Sequence, residues 1–423
     1  MTRFIVILIL LAWARDLPAQ VQEPEELQFL ILEALANNPE IAAELSKMDA
    51  ATSRVSQAGT LDDPLLTFKW MEFPAARLGQ ARYQNIELMQ MLMFPTKLST
   101  QSSIAEIRAE HAHHEHLEVA LDVISRVKSS FAMLWYTRTA LGINGDNRRL
   151  LEQIVAAAQR NYSVGKATQQ ELLQARIEFA RARAEESSIS QEVAAAEAMF
   201  RALLNRKASV AVGLIVIDSS LFPLPQPETL VRFALQNRPM LIHDSLSVTE
   251  SELMVSMAKQ EYLPDLRFSL EYVRMPMIPE QRWSVSAGLS IPFAPWTLSK
   301  ASSRVSEAKA ETGMRMNMLQ SSKNMVDAQV RRAYANVKAS EIMVSAYERE
   351  ILPQSLQALR SLLADYQTGK ASYLVLIDSY RMYEMTRKDA AMARMNYITN
   401  LAALERETGV LELSVVPPEE SQP

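Results

Sequence analysis

The chain says nearly the same thing twice. Asn161–Thr168 reads Asn-Tyr-Ser-Val-Gly-Lys-Ala-Thr and opens a long helical run; Asp365–Ser372 reads Asp-Tyr-Gln-Thr-Gly-Lys-Ala-Ser and opens another. Upstream, Ala34–Pro39 (Ala-Leu-Ala-Asn-Asn-Pro) is echoed by Ala234–Pro239 (Ala-Leu-Gln-Asn-Arg-Pro), and Pro64–Phe68 by Pro264–Phe268. The echoes keep their order, so a whole unit has been duplicated. Each unit reads helix, two strands, very long helix, turn, very long helix. Such a chain is built by symmetry. The repeats span residues 20–226 and 227–412, with a tail at 413–423.

Only 10 glycines occur in 423 residues, and Ala, Leu, Glu, Gln, Arg and Met dominate the middle of each half. That composition favours long uninterrupted helices. The net charge of −5 is mild, and no concentrated basic surface is present, which argues against a nucleic-acid partner. Cysteine is absent, which excludes disulfides, zinc-thiolate sites and an N-terminal lipidated cysteine. Arg3 followed by the apolar run Phe4–Ala12 reads as a signal peptide, residues 1–19, with cleavage after Ala14 or Ala19. The run is too short to span a bilayer as a helix.

After this leader, Glu25–Gly59 reads as a helix broken at Asn38-Pro39, because proline cannot continue the hydrogen-bond ladder. Then the period changes to two. Leu66, Phe68 and Trp70 alternate with Thr67 and Lys69, and Ile86, Leu88, Leu92 and Phe94 share one parity. Leu266, Phe268, Leu270 and Tyr272 alternate with polar neighbours, as do Trp283, Val285, Ala287, Leu289 and Ile291. This alternation gives two amphipathic hairpins, over 64–94 and 264–292, with tip loops at Pro74–Arg82 and Met275–Arg282. The spacing predicts strands near Pro64–Phe73, Tyr83–Phe94, Pro264–Val273 and Trp283–Pro292. Half-buried hairpins in a soluble domain would show the same alternation.

The helices decide between these readings. From Thr96 to about Gly142 there is neither proline nor glycine, a rod of roughly 70 Å at 1.5 Å per residue. Beyond Gly165, Leu172, Ala175, Phe179, Ala182, Glu186, Ile189, Val193, Ala196, Phe200 and Leu203 keep three-four spacing; Val326, Val330, Ala333, Val337, Ser340, Val344, Tyr347 and Ile351 do the same. These are coiled-coil seams. A plain exported coiled-coil protein, structural or adhesin-like, would explain the seams but not hairpins at equivalent points of a repeat. Four strands cannot close a barrel, and an open edge in lipid leaves backbone groups unpaired. Several chains must then share one barrel; three chains with twelve strands enclose a water-filled pore most economically.

At this point the order of the repeated unit resembles the outer-membrane efflux (TolC) family. So do the turns Tyr162–Gly165 and Tyr366–Gly369, the string Leu263–Leu266 (Leu-Pro-Asp-Leu) and Ile291–Phe293 (Ile-Pro-Phe). The resemblance covers essentially the whole mature chain. It implies a mainly α protein with a membrane β-barrel portion: a homotrimer with a twelve-stranded barrel in outer-membrane lipid of a Gram-negative bacterium. Below it stands a long α-helical coiled-coil barrel in the periplasm. It implies as partners a periplasmic adaptor (membrane fusion) protein and an inner-membrane efflux pump, proton-driven, for which the chain is a passive exit duct for drugs or metal cations.

No catalytic constellation and no cofactor motif is found, so the chain reads as a non-enzyme. Gly165 and Gly369 suit the left-handed conformation that ends a helix. The resemblance adds that Val164, Gly165, Lys166, Thr368, Gly369 and Lys370 meet the adaptor. It also suggests Glu171 and Asp378 as carboxylates of a pore constriction, with Val375 at a second family position where charge is missing. As a metal site, His111, His113, His114 and His116 stand together; pairs three apart share a helix face, although packing against a neighbouring helix explains them equally. Methionines at Met89–Met93, Met275–Met277 and Met314–Met318 suit soft cations or serve as core filler. Phe293–Trp296 (Phe-Ala-Pro-Trp) looks like the heavy-metal branch of the family.

Overall fold

The computed structural model describes residues 24–71, 83–217, 220–221, 223–274, 282–292 and 294–410. The leader, the tail at 413–423, the hairpin-tip loops apart from Arg282, the Met275–Met277 cluster and Phe293 lie outside the described residues.

The elements run in the order β1 (Pro24–Glu25), α1 (Leu27–Asn37), α2 (Pro39–Ala58), β2 (Leu65–Met71), β3 (Tyr83–Leu92), α3 (Pro95–Ser163), α4 (Gln169–Leu203), β4 (Leu214–Ile215). They continue as α5 (Pro227–Asn237), α6 (Pro239–Gln260), β5 (Leu266–Arg274), β6 (Arg282–Leu289), α7 (Pro295–Ala346), a π-helical turn at Tyr347–Ile351, α8 (Leu352–Thr368) and α9 (Tyr373–Thr408). Helices α2, α3, α5, α6 and α7 all open on proline, whose missing N–H costs nothing in a first turn. At Asn38 the side chain also accepts the Glu40 N–H at 2.8 Å, so the Asn-Pro break is a cap joining two helices. No described helix is long and apolar enough to cross a membrane.

Contacts divide the chain into two units. The first gathers residues 127–221 and 347–395 with the N-terminal 34. It holds α4, α8, parts of α3 and α9, and a short parallel pairing of β1 with β4. Leu172, Ala175, Ala182, Ile189 and Phe200 of α4 are buried, the three-four stripe read from the sequence. A heptad separates two ion pairs that tie α4 to α9, Glu178 with Arg381 and Glu185 with Lys388, the flanking pairs of a coiled coil.

The second unit comprises residues 35–126, 222–346 and 396–423. Its sheet is antiparallel throughout, in the order β2-β3-β5-β6. Register lines up Leu66, Leu88, Leu270 and Val285 across all four strands, and Phe68, Ile86, Tyr272 and Trp283 in the next row on that face. The intervening row is Thr67, Glu87, Glu271 and Ser284 on the opposite face. There Asn85 and Ser284 both donate to Glu271, and Lys69 pairs with Glu87 at 2.7 Å. The apolar rows are not a core: Phe68 is 51%, Trp283 65% and Val285 76% exposed. Among the described residues, β2 and β6 each pair on one side only.

One seam departs from the sequence pattern. Val326, Val330, Ala333, Val337, Ser340 and Val344 are buried, but Tyr347 is half-buried and Ile351 exposed. The π turn begins at Tyr347; its wider winding rotates the helix beyond it, and burial resumes at Ser355 and Leu359.

Candidate functional site

The paired helix-hairpin tips in the first unit are the best-defined polar feature. Helix α3 ends at Ser163 and α8 at Thr368, and each is followed by a left-handed glycine: Gly165 at φ +73° and Gly369 at φ +81°. The backbone bonds of the two turns match atom for atom. Lys166 N–H and Lys370 N–H reach back to the carbonyls of Asn161 and Asp365, each at 2.8 Å, and Gly165 and Gly369 donate to Tyr162 and Tyr366 at 3.0 and 3.1 Å. These bonds satisfy the carbonyls that a helix end leaves open. Then Thr168 caps α4 by accepting the Glu171 N–H at 3.2 Å.

The turns touch each other. The Asn161 side chain donates to the Tyr366 carbonyl at 3.2 Å, and the Lys166 side chain lies 3.8 Å from where a Cβ on Gly369 would stand. Beneath them Leu151, Ile154, Leu172, Leu359, Leu376 and Ile377 form a shared core with Tyr366, Tyr373 and Tyr380. The Tyr366 and Tyr373 rings meet edge to face at 6.2 Å. Burial pushes the Tyr366 phenol up and that of Tyr373 to about 12; Tyr380 is raised by the same cause. Sequence reading took Tyr366 only as part of its turn and passed over Tyr373 and Tyr380, which stand seven residues apart on α9.

The two carboxylates singled out from sequence are not equivalent. Asp378 is exposed and Glu171 half-buried; Glu171 stands six residues after its glycine and Asp378 nine after its own. The position matching Glu171 is Val375, 51% exposed, next to Leu374 at 66%. Val164 is also 66% exposed. The tip thus presents Val164, Leu374 and Val375 to solvent beside turns closed by backbone hydrogen bonds.

The histidines lie in the second unit and do not gather. His111 meets His243 of α6, ring centroids 4.3 Å apart, with Glu250 at 3.4 Å from its Nε2. His113 and His114 are edge to face at 5.4 Å, and His116 is half-buried. Burial, then the neighbouring His243, holds His111 below the usual imidazole range; burial, then His113, does the same to His114. Among the described residues no three His, Asp or Glu side chains converge as a metal ion would require. His243, the fifth histidine, lies 132 residues from His111, so no local motif could pair them.

The second unit's open sheet, with one apolar face and edges unpaired among the described residues, and the capped helix-hairpin tips of the first unit are each features that suit an outer-membrane channel subunit. The chain belongs to the family described as Outer membrane efflux protein, which it matches over residues 30–206 and 230–410. It is 20% identical over 366 residues to the cobalt-zinc-cadmium resistance protein CzcC of Cupriavidus metallidurans, covering 86% of this chain and 85% of that one. In fold it resembles the outer membrane protein VceC of Vibrio cholerae (TM-score 0.74, 15% identity, 91% of this chain and 96% of that one). It also resembles CusC (TM-score 0.76, 16% identity, 94% and 96%). The chain is therefore an outer-membrane exit duct with a helical periplasmic part, a transport protein and not an enzyme. Channels of this family form trimers and work with adaptor and inner-membrane pump components.

Proposed function

We propose that this chain is the outer-membrane duct of a tripartite system that exports divalent heavy-metal cations. Three copies close a twelve-stranded barrel, each contributing its four strands. The observation that carries this is the sheet: an apolar face largely open to solvent, and two edges unpaired among the described residues, suit lipid only when neighbouring copies pair the edges. The coiled-coil helices continue as a periplasmic tube. The cargo reading rests on the likeness to the cobalt-zinc-cadmium resistance protein.

At the tips, Val164, Gly165, Lys166, Thr368, Gly369 and Lys370 dock the periplasmic adaptor, which links the duct to a proton-driven inner-membrane pump. The turns are solvent-facing and each is closed by its own backbone hydrogen bonds, so a partner can seat on them without refolding them. Glu171 and Asp378 line the constriction that such a tube closes at this end. Glu171→Ala with Asp378→Ala reduces cation preference in bilayer conductance; an unchanged preference removes both from the constriction.

Deletion of the gene in the native host tests the function. Raised sensitivity to cobalt, zinc and cadmium salts with unchanged drug sensitivity is expected. Drug sensitivity alone overturns the cargo and keeps the duct. An adhesion defect with no efflux phenotype returns the structural coiled-coil reading.

A further inference from the structure

In the first unit the buried stripe of α3 turns polar in mid-helix. Ala140, Leu151, Ile154 and Ala158 are buried apolar positions, and Asn144 and Asn147 stand between them in unbroken three-four order. They are core positions of a coiled-coil seam, where apolar side chains are the rule. Asn144 is 0% and Asn147 1% exposed. Among the described residues, none of their four side-chain nitrogen and oxygen atoms has a hydrogen-bond partner.

Two ion pairs locate the amides. Asp146, one residue before Asn147, pairs with Arg387 of α9 at 2.8 Å, and Arg148, one residue after, pairs with Glu186 of α4 at 2.7 Å. Successive helical residues diverge by about 100°, so Asn147 points between α9 and α4. Asn144, about 40° from Arg148 on the helical wheel, points into the same groove. The second arm is irregular at the same place. Shifted by the 204 residues that relate Gly165 to Gly369, Asn144 and Asn147 fall on Glu348 and Ile351, within the π turn.

Four buried polar atoms left unpaired would forfeit a sizeable part of a domain's net stability. Their chemistry says what pairs them. Each amide carries two N–H donors and one acceptor oxygen. A cation answers only the oxygens, and an anion only the N–H groups. Water answers both, and a buried water typically makes about two to four hydrogen bonds to such groups.

We propose that Asn144 and Asn147 form an internal site for ordered water in the seam between α3, α4 and α9. The Asp146–Arg387 and Arg148–Glu186 pairs rim the site on its two sides. Both descending arms thus interrupt close apolar packing at one level of the repeat, the first with water and the second with a wider turn.

Crystals of the full-length channel, diffracting well enough to show ordered water, test the site beside those of the double variant Asn144→Leu, Asn147→Leu. Leucine continues the apolar stripe and offers no hydrogen bond. The parent should show water within hydrogen-bond distance of both amides, and the double variant should lose it while keeping both rim ion pairs. Amides bonded to each other or to protein groups, with no water between, overturn the site. Water that persists in the double variant overturns it too, because other groups then hold it. Rubidium and bromide soaks of parent crystals separate water from ions, since both ions scatter anomalously. An anomalous peak at the amides means an ion and overturns the assignment; none is expected. The parent crystals and their soaks decide the matter even if the double variant fails to assemble.

Discussion

The descending arms of the two repeats solve one problem differently. In the first, α3 runs unbroken for 69 residues, straight through Gly142 and Gly145. In the second, α7, the π turn and α8 share the same task. The arms start 200 residues apart, at Pro95 and Pro295, but end 204 apart, at Gly165 and Gly369. Four added residues exceed one α-helical turn by a fraction, and the wider π turn takes up the excess. The buried stripe on the second arm steps past Ile351 as a result. Both arms nonetheless finish in turns with the same hydrogen bonds. Conserving the tip while altering the arm teaches that the tip geometry is the constrained part.

The largest expected effect breaks both tips together. Gly165→Val with Gly369→Val places β-branched residues at positive φ, at about 1–3 kcal/mol each. No Cβ clash explains it, since Gly165 has open space and Gly369 only an ordinary 3.8 Å contact. Adaptor affinity should fall at least about tenfold with the trimer intact by amine crosslinking. Normal affinity refutes the tip assignment; a lost trimer makes the turns structural.

Matching tyrosines sharpen the comparison next. Tyr162 and Tyr366 hold the same place in the two turns, but Tyr162 is 42% exposed and Tyr366 3%. Tyr366→Ala should cost about 3–5 kcal/mol, as large buried aromatics do, and Tyr162→Ala within about 1 kcal/mol. Chemical unfolding followed by helical circular dichroism measures both. Equal costs would mean the turns are energetically interchangeable.

A smaller effect lies at the π turn itself. Glu348 accepts three bonds from the Arg394 side chain, at 2.6, 2.7 and 3.1 Å, and Arg394 is 4% exposed. The Glu348 side chain is 44% exposed, so solvent screens the pair. Glu348→Ala should cost about 1–3 kcal/mol, chiefly by leaving a buried guanidinium short of partners. Its first-arm counterpart has no π turn to test, so a cost within about 0.5 kcal/mol would show that this turn is not pinned by the pair.

Much of this was legible in the residues. Period-two runs gave the strands to within a few residues, since the pleat imposes that period, and Asn38-Pro39 gave a helix break that the structure closes with a cap. The two glycines were read from a turn motif that local backbone sterics dictate. The π turn was hidden because the three-four pattern continues through Tyr347 and Ile351; only the change of repeat spacing from 200 to 204 betrays it. His111 with His243 escaped because their pairing depends on which helices meet, and among the described residues the histidine tract does not gather three metal-ligating side chains.

The smallest effect concerns Tyr373, whose hydroxyl is buried without a hydrogen-bond partner. At neutral pH, Tyr373→Phe should change stability by less than about 1 kcal/mol, because it removes an unsatisfied polar group and keeps the ring. Alkaline pH separates the variants. Burial raises the folded phenol to about 12, above the unfolded value near 10. The contribution of the neutral phenol is therefore complete below about pH 10 and is lost as pH rises through about 12, where the folded state must bury a charge or open. Tyr373→Phe has no such proton to lose and should keep its tip helices over that window when the parent begins to unfold. Tyr162, exposed at the other tip, supplies the control: Tyr162→Phe should leave the alkaline transition where it is. Should Tyr162→Phe and Tyr373→Phe shift it equally, burial at the second tip does not set the tyrosine's acidity.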